Sequence, residues 1–244
     1  TVKSAAGSMI GGSSPADGNS IALSGVPSGD YCNIGIIVRN TAGAVTVESN
    51  QITGSAADAG IWLYAAGDVS NPVLVQGNQL GATASAAVYW GDAAGIFITD
   101  DGADYYSYGT DMPTHATITG NTIAGFETGV FLMRYGTALT PGGAMIGVTI
   151  GGAGAGEGNT ITGADAGIYV YDADGAANSY KARATIKNNS ASFTGNAVGI
   201  EVDGGAALIE NNDLTGNTVA GIRVENGGMV DAGDCANGNA TGLG

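Results

Sequence analysis

Positive charge is scarce in this chain. Seven Lys and Arg stand against 22 Asp and Glu among 244 residues, a net charge of −15. No basic track is available to neutralise phosphates, which excludes nucleic acid as a partner and disfavours an anionic membrane surface. No run of about 18 apolar residues is present, so no membrane insertion is expected. No basic-then-apolar leader opens the chain, and its first residue is Thr1 rather than Met, as expected if a leader has been removed. Histidine occurs once, at His115, and cysteine twice, at Cys32 and Cys235. No phosphate loop, zinc cluster or Ser-His-Asp arrangement is found. GGAGAGEG (151–158) is glycine-rich but lacks the Lys-Ser/Thr of a phosphate loop.

Glycine and asparagine are abundant instead. Glycine numbers 44, and 44% of residues are hydrophobic, enough for a core and too many for a disordered low-complexity chain. Seven asparagines recur in one short frame: Asn19, Asn50, Asn78, Asn121, Asn159, Asn189 and Asn212. Downstream of each lies a Gly-aliphatic pair: Gly35-Ile36, Gly60-Ile61, Gly95-Ile96, Gly129-Val130, Gly167-Ile168, Gly199-Ile200 and Gly221-Ile222. Self-similarity of this kind marks a stacked repeat protein. The shortest repeat, Ala207 to Gly228, holds three short strands in about 22 residues. In-out alternation places Ala207 and Ile209, then Leu214, then Ile222 and Val224 inward. Val47, Val75, Ile118, Ile150, Ile186 and Ile209 align as one inward column. The asparagines are predicted to form a ladder at a turn, tolerating left-handed backbone and bonding the next rung through their amides.

The pattern resembles right-handed parallel β-helix repeats of the pectate-lyase-like superfamily. The stretches IGGAGAGEGNTITGADAGIYV (150–170) and IGGSSPADGNSI (10–21) are similar to repeats of large secreted bacterial surface proteins. The resemblance implies an all-β chain: a single right-handed parallel β-helix with three strands per rung and about seven or eight rungs. Residues 1–244 are expected to be one domain, an excerpt of a longer chain or uncapped at its C-terminal end. An uncapped end invites end-to-end stacking of copies into a fibre. Seven rungs at about 4.8 Å separate Cys32 from Cys235 by roughly 30 Å, beyond the ~7 Å reach of a disulfide. Few lysines with many Asn, Thr and Gly suit a secreted or surface protein.

Function is expected where rungs depart from the repeat. Four insertions, 65–72, 99–115, 133–145 and 171–183, leave from one corner and so line one flank. Beneath them the outward residues of the third strand run Ile37, Trp62, Phe97, Phe131, Tyr169, Glu201 and Arg223. The next outward column includes Arg39, Tyr64, Met133 and Tyr171. Trp62, Tyr64, Phe97, Phe131, Tyr169 and Tyr171 either form an exposed platform for a polysaccharide or cell-surface glycan or lie under the inserted loops. The long insertions fall on the aromatic rungs, which favours the covered arrangement. The insertion 99–115 carries Asp100, Asp101 and Asp104, candidate oxygen ligands for calcium, though the spacing fits no EF-hand loop.

Catalysis is a second expectation. Asp100 and Asp101 form the kind of acidic pair that hydrolyses glycosidic bonds, but the Gly-His-Gly and Arg-Ile-Lys elements of polygalacturonase-like hydrolases are missing. Lyase chemistry needs an Arg or Lys base, for which Arg134, Lys181, Arg183 and Lys187 are the candidates. YGTDMPTH (108–115) resembles the Tyr-Gly-Phe-Asp-Pro-His element of alginate epimerases, with two extra residues between Asp and His. That resemblance implies Tyr108 and His115 as an acid/base pair oriented by Asp111. Two readings therefore stand: an extracellular spacer, adhesion or carbohydrate-binding module, and a polysaccharide-modifying lyase, hydrolase or epimerase.

Overall fold

A computed structural model describes residues 2–3, 7–24, 33–41, 43–84, 93–100, 113–134, 146–173, 182–189 and 193–232. The chain winds through three parallel sheets, visiting each once per turn as far as Phe193–Thr194; between Ala206–Glu210 and Ala220–Glu225 it forms no strand of the third sheet. Sheet A holds eight strands: Val2–Lys3, Ile34–Thr41, Ala59–Ala66, Ala94–Thr99, Thr128–Arg134, Ala166–Asp172, Val198–Asp203 and Ala220–Glu225. Sheet B also holds eight, from Ser8–Gly11 through Thr114–Thr119, Ile146–Ile150, Ala182–Lys187 and Ala206–Glu210 to Met229–Asp231. Sheet C holds six, from Ser20–Leu23 to Phe193–Thr194.

The registers follow the sequence columns. Val47, Val75, Ile118, Ile150, Ile186 and Ile209 pair rung to rung in sheet B. Ile36 through Ile222 do the same in sheet A. Most of these side chains are fully buried. Each is β-branched, which favours the extended backbone, and each packs on its equivalent above and below. Burying one contributes roughly 1.5–3 kcal/mol, so the core is a set of aliphatic stacks along the coil axis.

The asparagines occupy the corner between sheets B and C. Each Nδ2 donates to the Oδ1 of the next ladder residue at 2.8–3.0 Å, from Asn19 to Asn212. Each backbone N–H from Asn19 to Asn189 donates to that same oxygen. The ladder amides from Asn50 to Asn212 also reach main-chain carbonyls in the preceding rung. Asn50, Asn78, Asn121, Asn159 and Asn189 are buried. One expectation is corrected here: the ladder residues are not left-handed. Positive φ falls one residue earlier, at Ser49, Gly77, Gly120, Asn188 and Asn211. The preceding residue turns the chain, and the asparagine closes the turn with its side chain.

The Gly-aliphatic pair has a steric cause. A Cβ on Gly35, Gly60, Gly95, Gly129, Gly167 or Gly199 would lie 2.5–2.7 Å from the carbonyl oxygen of the equivalent glycine one rung on. Real Cβ atoms do not approach backbone that closely, so this column is fixed by the stacking itself. Gly221, in the last rung, meets nothing nearer than 3.5 Å.

The four expected insertions lie between sheets A and B, spanning 67–72, 100–113, 135–145 and 173–181. They are not confined to that flank. Connections 24–33 and 85–93 lie between sheets C and A, and the glycine-rich corners 12–19 and 151–159 lie between B and C. Cys32 and Cys235 lie outside the described residues.

Candidate functional site

The aromatic stripe forms as aligned. Trp62, Phe97, Phe131 and Tyr169 are direct neighbours on the outer face of sheet A. Their ring centroids are 5.8, 5.4 and 4.9 Å apart, and Phe131 and Tyr169 are parallel within 5°. Tyr64 packs edge-on against Trp62, and the Arg39 guanidinium lies 5.8 Å from the Tyr64 ring centre. Trp62 Nε1 donates to Thr99 Oγ1 at 3.1 Å. Phe97 and Phe131 are only 5% and 4% exposed although they point away from the coil interior. With Met133, Ala59 and Ala94 they make a second, smaller core. The exposure a sugar platform needs is therefore missing at the centre of the stripe. Trp62, Tyr64, Tyr169 and Tyr171 are half-buried.

Beyond Tyr169 the column becomes charged. Tyr169 Oη donates to Asp203 Oδ2 at 3.2 Å, and Asn226 Nδ2 donates to Asp203 Oδ1 at 2.7 Å. Arg223 pairs with Glu201 and lies 3.5 Å from Glu225. Those hydrogen bonds and charges hold the Arg223 guanidinium above its ordinary pKa.

A second charged group lies inside the coil. Asp100, Arg134 and Asp172 follow the inward residues Ile98, Leu132 and Val170 by two positions, on three successive rungs. All three are buried. Arg134 Nη1 is 3.1 Å from Asp172 Oδ1, and Arg134 Nε is 3.5 Å from Asp100 Oδ2. Asp172 Oδ2 also accepts the Ala182 N–H at 3.0 Å, which closes the base of the 173–181 connection. Thr114 Oγ1 closes the 100–113 connection in the same way by donating to the Thr99 carbonyl. Asp100 and Arg134, candidates for metal binding and catalysis, thus lie together with Asp172 at the coil corner.

His115 and Arg183 belong to a different face. His115 sits in the strand Thr114–Thr119 and not in the preceding connection, and it points outward from sheet B. Its column continues through Gly147, Arg183, Ala206 and Met229. Burial lowers the His115 pKa below its ordinary value, opposed by the Asp68 carboxylate and by a hydrogen bond to the Gly147 main chain. An open groove of about 560 Å³ runs along this face, lined by His115, Thr149, Arg183, Thr185, Met229 and Asp231 among others.

A family model for the right-handed beta helix region matches residues 35–236. The chain belongs to this family. The matched span covers most of the β-helix, including every rung that carries the aromatic stripe. None of the curated proteins or solved structures matches the β-helix significantly. Of the candidate residues, Asp101, Asp104, Tyr108, Asp111 and Lys181 lie outside the described residues. No group of three or more His, Cys, Asp or Glu side chains suited to a metal ion occurs among the described residues.

Three features of the β-helix are absent from the sequence expectations: the Asp100–Arg134–Asp172 triad, a second asparagine ladder and the groove. The triad was legible by parity, since Asp100, Arg134 and Asp172 continue an inward alternation with opposite charges on adjacent rungs. Asn196 and Asn217 form a second short ladder, joined at 3.2 Å, with Asn196 Nδ2 also donating to the Ile161 carbonyl. Its only sequence sign is the repeated Gly-Asn before the last two Gly-Ile pairs. The groove has no sequence signature, because its lining residues come from five successive strands of sheet B.

Proposed function

We propose that this β-helix is a rigid spacer and adhesion module of a secreted or surface protein. The observation that carries the reading is the unbroken asparagine ladder from Asn19 to Asn212, which couples every rung to the next through side-chain and main-chain hydrogen bonds. A coil locked in register holds its faces at fixed positions along a rod, the mechanical requirement of a spacer. The buried centre of the aromatic column, Phe97 and Phe131, and the buried Asp100–Arg134–Asp172 group support the same reading, since both spend reactive or sticky side chains on packing.

The test is incubation with a panel of acidic and neutral polysaccharides, with and without calcium, following new reducing and unsaturated ends. The expected result is retention of polysaccharide on the immobilised protein without new ends. Turnover that is lost on replacing Asp101 or His115 would overturn the proposal in favour of a polysaccharide-modifying enzyme.

A further inference from the structure

Asn226 stands apart from the other asparagines of the coil. The ladder asparagines are followed by Ser, Thr, Gln or Asp, and five of the seven are buried. Asn226 is exposed and is followed by Gly227, which is exposed too. No other asparagine among the described residues precedes a glycine, and the chain's second Asn-Gly, Asn237-Gly238, lies outside them. The pair forms the tip of the turn between the sheet A strand Ala220–Glu225 and the sheet B strand Met229–Asp231. The backbone φ is +48° at Asn226 and +78° at Gly227, and the Gly228 N–H closes the turn on the Glu225 carbonyl at 2.8 Å. Positive φ at both central residues is the type I′ arrangement, for which Asn-Gly is the favoured pair. The Gly227 N–H donates no hydrogen bond among the described residues.

This sequence leaves a main-chain nitrogen next to a primary amide with no side chain to obstruct their approach. Once deprotonated, the Gly227 nitrogen is a nucleophile for Asn226 Cγ. Its attack closes a five-membered imide, the Cγ–Nδ2 bond breaks, and Nδ2 takes up protons from water and leaves as ammonia. Water then opens the imide. Cutting the new bond from nitrogen to Cγ leaves aspartate, and cutting the original peptide bond leaves isoaspartate. One water is consumed and one ammonia released, with no oxidant or cofactor. The surroundings favour departure: Asn226 Nδ2 donates to Asp203 Oδ1 at 2.7 Å, and a carboxylate beside the leaving nitrogen stabilises its protonated form.

The product meets the same carboxylate. An acid at position 226 replaces a hydrogen-bond donor with a second negative charge beside Asp203, next in the chain to Glu225. Like charges at that distance oppose each other's ionisation and push the groups apart. Isoaspartate also lengthens the main chain of the turn by one atom. Three main-chain bonds depend on that turn: Gly228 N–H and Gly204 N–H to the Glu225 carbonyl at 2.8 and 3.2 Å, and Met229 N–H to the Gly205 carbonyl at 2.9 Å. We infer that Asn226 is a self-modifying site, which converts to aspartate and isoaspartate in the folded protein and loosens the strand Met229–Asp231 from the coil. The rod thus carries a timer at its last described rung, whatever it adheres to.

The experiment ages the full chain in mildly alkaline buffer, folded and in urea, and maps its peptides by mass spectrometry with an isoaspartate assay. Conversion at Asn226 is expected in the folded chain, ahead of every ladder asparagine and within about tenfold of its rate in urea, because an exposed turn opens at little cost. Asn226→Gln should remove the signal. The consequence is read separately, by hydrogen exchange of the Met229 amide. Asn226→Asp should speed that exchange by about tenfold, the worth of one hydrogen bond. Adding Asp203→Asn should restore it, because the pair then keeps its hydrogen bond with donor and acceptor exchanged. Melting curves establish that each variant is folded; if the double variant is not, ageing and Asn226→Asp decide. The proposal is overturned if Asn226 remains an amide in the folded chain or converts no faster than the ladder asparagines. It is also overturned if Asn226→Asp leaves Met229 exchange unchanged, or if the folded double variant exchanges as fast as Asn226→Asp.

Discussion

Replacing Asn121 with Ala tests the ladder where it is most enclosed. Asn121 is 1% exposed. Its Nδ2 donates to the Val75 carbonyl at 2.9 Å, to Asn159 Oδ1 at 3.0 Å and to the Thr119 carbonyl at 3.1 Å. Its Oδ1 accepts the Asn78 N–H at 3.0 Å and Asn78 Nδ2 at 2.9 Å. Alanine removes all five contacts. The Asn78 N–H loses its acceptor inside the coil, and stranding one buried polar group costs about 1–3 kcal/mol. Adding the lost hydrogen bonds and the space left by the amide gives a destabilisation of roughly 3–5 kcal/mol. Asn19 offers the matched comparison. It is exposed and donates through its side chain to Asn50 Oδ1, so Asn19→Ala should cost about 1 kcal/mol. In a chain of this size the difference corresponds to a melting temperature lower by roughly 5–15 °C for Asn121→Ala than for Asn19→Ala. Thermal unfolding followed by circular dichroism and calorimetry measures it. Equal melting of the two variants would refute the claim that the buried ladder stabilises the coil through its side chains.

Three further outcomes are expected. Gly129→Ala should destabilise by several kcal/mol, because its Cβ would meet the Gly167 carbonyl at 2.5 Å and Ile161 Cγ2 at 2.3 Å, whereas Gly221→Ala should be tolerated; urea titrations of the two compare them directly. Arg134→Met should cost about 3–5 kcal/mol by leaving Asp100 and Asp172 buried without their shared cation; urea titrations of variant and parent at neutral pH measure it. His115 has a folded pKa lowered by burial below its ordinary value of 6.5. The unfolded chain therefore binds the proton more readily, so this residue's contribution falls as pH drops through about 6.5 and is constant above it. His115→Asn should flatten the melting-temperature profile in that window relative to the parent, and an unchanged difference across it would refute the assignment.

How far the sequence carried depends on what repeats. The aliphatic columns, the ladder and the outward stripe each recur at fixed offsets from the asparagine, so aligning the rungs was enough to place Trp62 beside Phe97 and Phe131 beside Tyr169. The position of the left-handed turn was misread because Asn itself favours that geometry, whereas the turn residue varies among Ser49, Gly77 and Asn188 while the ladder residue does not change. His115 was assigned to the insertion because that rung begins its strand early, at Thr114. Asp100 and Arg134 looked like chemistry because charged residues beside an insertion usually face water. Here the period-2 alternation continued two residues past the hydrophobic run and turned them inward. The groove is lined from rungs separated by some 20–35 positions, which no local pattern displays.

The central claim is that one continuous ladder holds the coil rigid. Hydrogen exchange of the asparagine side-chain amides, followed by NMR in the folded protein, tests it most directly. The account predicts strong and similar protection at Asn50, Asn78, Asn121, Asn159 and Asn189, all lost together on unfolding, with faster exchange at the exposed Asn19. Exchange at the buried five as fast as at Asn19, or protection lost rung by rung at separate denaturant concentrations, would contradict it.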